Sequence, residues 1–172
     1  MKEKILTVVV TCLTLATASC ATLPAGDTHP LKRTRIAAER WPALDLRRIQ
    51  IPPEGYVTAV YFWGTYCQPC HRTIRDLETL WKQKKHGGLA VIGVAVDDNP
   101  GLVVKDIAEM GVTFPTIMDG QWRKLQQQFC VEAIPTLFIL DRQGMVRAVF
   151  SSGATDMSLV QTAVDYLIGE NL

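Results

Sequence analysis

The chain has no surplus of charge of either sign. Its 172 residues hold eighteen Lys and Arg against seventeen Asp and Glu, a net charge of +1. Binding nucleic acid by neutralising phosphates needs a basic excess, so that class is set aside. Long apolar runs are equally scarce: no later segment is as apolar as residues 5–18, so the chain makes at most one membrane contact. Five cysteines are few for a disulfide scaffold of this length. No second C-x-x-C and no paired histidines at ligand spacing accompany Cys67 and Cys70, which argues against zinc. No internal repeat is visible. What is present is a composition of 48% hydrophobic and 20% charged residues, enough apolar material for a full core and against disorder.

The N-terminus reads as an address. Lys2 and Lys4 precede the apolar stretch, which is shorter than the ~20 residues of a spanning helix and suits a signal peptide. It closes on Ala16-Thr17-Ala18-Ser19-Cys20, a small-residue run ending in cysteine that resembles the lipobox of bacterial lipoproteins, with Thr17 where leucine is usual. In that favoured reading residues 1–19 are removed and Cys20 carries lipid. Ordinary cleavage after Ala16-Thr17-Ala18 and an uncleaved anchor stay open. All three export the chain to an oxidising compartment, where disulfide chemistry is at home. Residues 20–40, with Pro24, Gly26 and Pro30, read as a tether with a short helix around 35–40; the folded domain is expected over 41–172.

Within that domain, residues 57–62 (VTAVYF), 89–96 (LAVIGVAV), 136–140 (TLFIL) and 145–150 (MVRAVF) are short β-branched apolar runs, the pattern of buried strands. The last two are joined by Asp141-Arg142-Gln143-Gly144, a hairpin turn in which Gly144 supplies a positive φ. Helical spacing links Ile74, Leu77, Leu80 and Trp81, with Gly87-Gly88 as a stop. It recurs in Leu102, Val103, Ile107 and Met110, in Trp122, Leu125 and Phe129, and in Val160, Ala163, Val164, Leu167 and Ile168. Strands alternating with helices and then a hairpin predict an α/β fold, a mixed sheet covered on both faces. Trp63, Trp81 and Trp122 read as core aromatics, with Trp63 nearest the cysteines. Asp97-Asp98-Asn99-Pro100 reads as a strand-to-helix turn with an N-cap rather than a metal loop.

The chemistry concentrates in Cys67-Gln68-Pro69-Cys70-His71, after a strand and at a helix start. Cysteines three apart there share a face and can bond to each other. Unpaired amides and the positive end of the helix dipole favour a thiolate on Cys67, the attacking nucleophile. Cys70 lies deeper and resolves the mixed disulfide, while Pro69 suits a first turn that needs no amide from it. The same five residues spell C-x-x-C-H, the attachment signature of a c-type haem, and that reading stays open beside the redox one.

Taken with Ala133-Ile134-Pro135-Thr136-Leu137-Phe138-Ile139-Leu140-Asp141, the motif resembles the thioredoxin superfamily, and within it the TlpA/ResA-like exported thiol–disulfide oxidoreductases. The segment Gly111-Val112-Thr113-Phe114-Pro115, with Asp119 and then Phe129-Cys130-Val131, is similar to that branch's insertion before the proline strand. The resemblance covers roughly residues 41–168. It implies a thioredoxin-like fold and a cis peptide between Ile134 and Pro135 beside Cys67, in a loop that binds extended substrate. It also implies a disulfide reductase without cofactor, acting on exported proteins or on apocytochrome c during cytochrome maturation and fed by a membrane thiol donor. A non-catalytic thioredoxin-like binding module is the other reading.

The chain departs from the family where protons are handled. The buried acid of thioredoxins, six residues before the first cysteine, is Tyr61 here; the branch's glutamate, three after the second cysteine, is Thr73. The proton acceptor is therefore His71, Glu132 or water. His71, one turn beyond Cys67, either stabilises the thiolate as a cation or is a solvated helix residue, the latter favoured. Tyr66 stands at the family's tryptophan position and is expected at the site rim. Cys130 is expected to be a buried, inert thiol rather than a third redox group.

Overall fold

The computed structural model describes residues 29–121, 123–151, 153 and 155–170. The expected leader, the Cys20 lipid site, the start of the tether and Trp122 lie outside these residues. Among the described residues seven strands and four α-helices follow in the order β1 (Glu39–Pro42), β2 (Arg48–Ile51), β3 (Val57–Trp63), α1 (Gln68–Lys84), β4 (Leu89–Ala95), α2 (Pro100–Glu109), β5 (Thr116–Met118), α3 (Lys124–Gln128), β6 (Thr136–Leu140), β7 (Val146–Ser151) and α4 (Met157–Gly169). β1 and β2 form a small antiparallel hairpin, and the other five strands form one sheet in the order β5-β4-β3-β6-β7. β3 pairs parallel with β4 and antiparallel with β6, so the sheet is mixed, with β3 at its centre.

Every residue of β3 is buried. Its alternation sends Val57, Ala59, Tyr61 and Trp63 into one apolar cluster with Ile74 and Leu77 of α1, Val103 of α2 and Val160 and Val164 of α4. Val60 and Phe62 enter a second cluster on the opposite face, with Leu125, Phe129 and Phe138. Each large side chain so buried contributes about 1.5–3 kcal/mol, which is what holds β3 and the loop after it in place. The β6–β7 turn is as expected: Gly144 has a φ of +77° and its amide donates to the Asp141 carbonyl.

Two expectations near the N-terminus are corrected. The short helix around 35–40 is absent; Arg35 bridges Met145 and Glu39 opens β1. The segment read as a tether is part of the domain from His29 on. The Arg33 amide donates to the Val146 carbonyl, the Ile36 amide to the Gly144 carbonyl, and Ile36 is buried. The sheet would otherwise leave those carbonyls and the apolar face beside β7 open, and this stretch covers them. The hairpin β1–β2 was not anticipated. Its strands are four residues each and mostly exposed, so they lack the apolar alternation that marks a strand.

Candidate active site

At the carboxyl end of β3, Gly64–Tyr66 turn the chain into α1. The Cys67 amide donates to the Gly64 carbonyl and the Cys70 amide to the Cys67 carbonyl. Cys67 is the N-cap of α1 in extended conformation, and no side chain caps that end. The helix amides thus face outward toward Cys67, as a developing thiolate requires. Cys67 and Cys70 are disulfide-bonded, with Cα atoms 5.3 Å apart. Cys67 is half-buried, Gln68 and Pro69 are exposed, and Cys70 is wholly buried. A reagent in solution can reach only the first sulfur. The C-x-x-C-H run thus lies at a turn from a fully buried strand into a helix, with its two sulfurs bonded to each other.

The second half of the site is the loop before β6. The Ile134–Pro135 peptide is cis. The β3–β6 register pairs Phe62 with Thr136, so Pro135 sits one step further on, level with Trp63 and the turn to Cys67. A Cβ built on Gly64 would lie 3.1 Å from Cδ1 of Ile134 and 3.0 Å from the Tyr66 ring. A glycine at 64 therefore lets the two loops close on each other. Tyr66 stands at this rim with 71% exposure, while Trp63 is fully buried beneath it.

The loop is anchored by a residue that the sequence did not single out for this task. Asp97, buried just beyond β4, accepts hydrogen bonds from the Thr65 amide at 3.1 and 3.2 Å and from the Thr65 hydroxyl. Asn99, two residues on, caps α2 as expected. An aspartate at the end of a strand beside the catalytic one was the available hint. Among the described residues no cluster of His, Cys, Asp and Glu could hold a metal ion.

Tyr61 and Thr73, in place of the two family acids, are both buried. The Tyr61 hydroxyl donates to the Cys70 carbonyl at 3.3 Å. Burial pushes its ionisation well above the usual tyrosine range, only partly offset by a hydrogen bond with Thr73, so it is no base at neutral pH. Glu132 is exposed. The favoured reading of His71 as a solvated helix residue is corrected. Its side chain is 20% exposed, set edge-on to the Trp63 ring, with Nε2 3.2 Å from Oδ2 of Asp106 on α2. Asp106 of α2 and Trp63 of β3 lie against the ring, which leaves it little exposed. The approach is not aligned as a hydrogen bond, and both atoms are buried without another partner.

Cys130 is also corrected: its thiol is free and exposed. Phe129 takes the core position, and the chain then turns at Cys130 with a φ of +49°, which carries the thiol outward.

Comparison with known proteins agrees with this geometry. The model of the AhpC/TSA family matches residues 43–149. The thiol-disulfide oxidoreductase ResA of Geobacillus kaustophilus is 35% identical over 95 residues, 55% of this chain and 53% of that protein. ResA of Bacillus subtilis is 28% identical over 111 residues, 64% of this chain and 62% of that protein. The chain thus spans little more than half the length of these curated relatives. Among solved structures, a thiol:disulfide interchange protein of the thioredoxin family from Chlorobium tepidum superposes with a TM-score of 0.71 at 23% identity, over 80% of this chain and 98% of that one. StoA of Bacillus subtilis gives 0.65 at 21% identity, over 74% and 96%. These likenesses establish the thioredoxin-like fold.

Proposed function

The chain belongs to the AhpC/TSA family, on the ResA/TlpA-like side of the thioredoxin superfamily, and from that premise we propose that it is a thiol–disulfide oxidoreductase working through Cys67 and Cys70. The observation that carries this is the asymmetry of the pair. One sulfur is half-exposed at an uncapped helix start, its partner is buried, and the cis-proline loop lies beside them.

In the reducing direction the Cys67 thiolate attacks a sulfur of the substrate disulfide. That S–S bond breaks, a Cys67–substrate disulfide forms, and the other substrate sulfur leaves as a thiolate. Cys70 then attacks Cys67, releasing the second substrate thiol and closing the disulfide seen here. Two electrons and two protons pass to the substrate. Ile134, Pro135 and Tyr66 shape the surface on which an extended substrate strand lies, Trp63 supports it from the core, and Pro69 fixes the first turn. No cofactor is required.

The substrates are disulfides of exported proteins, apocytochrome c cysteines among them, and a membrane thiol carrier regenerates the dithiol. The leader pattern and Cys20 support attachment to the cell envelope as a lipoprotein facing an oxidising compartment. No described helix is long and apolar enough to cross a membrane. Residues 1–19 are then the cleaved leader, ahead of the domain.

Replacing Cys70 with Ser tests the activity. The variant accumulates Cys67 mixed disulfides with client proteins that dithiothreitol releases; a binding module without redox chemistry accumulates none. The potential of the pair tests direction. A value near about −270 mV fits a reductase, whereas one near about −120 mV makes the protein an oxidant and refutes the proposed direction.

A further inference from the structure

We propose that His71 and Asp106 are the proton-handling pair of this site: His71 takes and returns the thiol proton, and Asp106 is the positioning residue that holds its ring. The proposal rests on the oxidoreductase reading and names the group that reading lacks.

Three observations converge on it. First, the side chains that could compete are otherwise occupied or remote. Asp97 is bonded to Thr65. Glu78 is bonded to Thr113 and Lys82. Tyr61 is held neutral by burial, and Glu132 is exposed with no partner among the described contacts. Second, Cys67 is the N-cap of α1 and His71 is the fourth residue of that helix, so both belong to its first turn. Third, Asp106 comes from a different helix, whose Val103 is fully buried in the core, so the ring is fixed by tertiary packing rather than by its own helix. With Nε2 turned to Asp106, Nδ1 is the nitrogen left for a thiol. A nucleophile, a base beside it and a carboxylate orienting that base form a recurrent arrangement in thiol chemistry. The other charged groups on the packed elements lie elsewhere: Arg72 and Arg75 are exposed on α1, and Lys105 is exposed on α2 and pairs with Glu109. β3 contributes Trp63, which is uncharged.

The step balances as follows. The Cys67 thiol gives its proton to Nδ1 of His71, and the thiolate attacks the substrate disulfide. The leaving substrate sulfur recovers that proton. As Cys70 displaces the second substrate sulfur, that sulfur takes up the Cys70 proton and leaves as the thiol, and Asp106 faces the imidazolium while His71 holds the Cys67 proton.

The test is the pH dependence of Cys67 alkylation by iodoacetamide in the reduced full-length protein, read by mass spectrometry cysteine by cysteine. His71→Ala and the shape-conserving His71→Gln raise the half-point by about one pH unit, the scale of losing an opposite charge at this range. Asp106→Asn raises it as well, and adds nothing in the His71→Ala background. Loss of a bare carboxylate acting alone would lower the half-point instead, so the sign is decisive. Circular dichroism confirms that each variant is folded. Half-points of both His71 variants equal to wild type overturn the proposal; an Asp106→Asn half-point that does not rise overturns the part given to Asp106. Alkylation reads proton loss alone, whereas trapping with Cys70→Ser reads disulfide exchange, so failure of the pair and failure of the oxidoreductase reading are separate results.

Discussion

Replacing Asp97 with Ala separates the cysteine motif from the frame that presents it. Asp97 is 7% exposed, and its carboxylate takes both the amide and the hydroxyl of Thr65, two residues before Cys67. Hydrogen bonds to a charged acceptor contribute about 1.5–3 kcal/mol each. The hydroxyl can rotate toward water in the variant, but the amide is fixed by the turn. The expected loss is therefore about 2–4 kcal/mol in urea unfolding of the oxidised protein, and about half that for Asp97→Asn, which keeps the shape and one acceptor. Because the contact is pairwise, Thr65→Val and Asp97→Ala should couple by about 1 kcal/mol in a double-mutant cycle. The functional consequence is a several-fold slower reaction of Cys67 with a model disulfide, since the loop no longer holds the helix start against the proline loop. A loss below about 1 kcal/mol with zero coupling would refute the anchoring role. Full destabilisation with an unchanged Cys67 rate would refute the link from anchor to reactivity.

Two further predictions concern groups outside the chemistry. Burial alone would raise the ionisation of Glu78, but bonds from the Thr113 hydroxyl and amide and from Lys82 outweigh it and hold the carboxyl below its ordinary value of 4.5. A depressed carboxylate contributes stability above its unfolded value, and that contribution is lost as pH falls through the folded one. The stability gap between wild type and Glu78→Gln should therefore be full at neutral pH and close below about pH 4.5, measured by urea unfolding across that range; a constant gap refutes the assignment. Exposed Cys130 should react with Ellman's reagent in the native oxidised protein, so Cys130→Ser should titrate one equivalent lower. Equal counts would mean that the thiol is shielded.

The parts of the fold legible in the sequence are those whose cause is local. β3, β4 and β6 are continuous apolar runs, α1 and α4 carry a 3–4 apolar spacing, and the Gly144 turn has its own chemistry; the strands were read to within a residue and the helices by their apolar faces. Features that depend on a distant partner were not. The hairpin β1–β2 exists because Leu44 donates to the Thr116 carbonyl and Ala43 bridges Ile117, far along the chain. Cys130 was expected inside because lone cysteines usually are, yet neighbouring Phe129 enters the core and the turn at Cys130 leaves its thiol outside. His71 was read as solvated because a histidine on a first helical turn is commonly exposed; here Trp63 and Asp106 lie against it.

The same division runs through the site. Cys67, Cys70 and Pro69 declare themselves through spacing, since a helix start puts an N-cap cysteine and one three residues on within reach of each other. What would convert a disulfide into a redox centre comes from β4 and α2. Asp97 fixes the loop from 32 residues away, and Asp106 meets His71 from the second helix. A chain with the same Cys-Gln-Pro-Cys-His after the same strand, but without those two carboxylates, would still close its disulfide. It would present Cys67 on a looser loop and leave its proton to water. The motif therefore points to the chemistry, while the proposed loop anchor and proton relay would come from two aspartates, one just beyond β4 and one on α2.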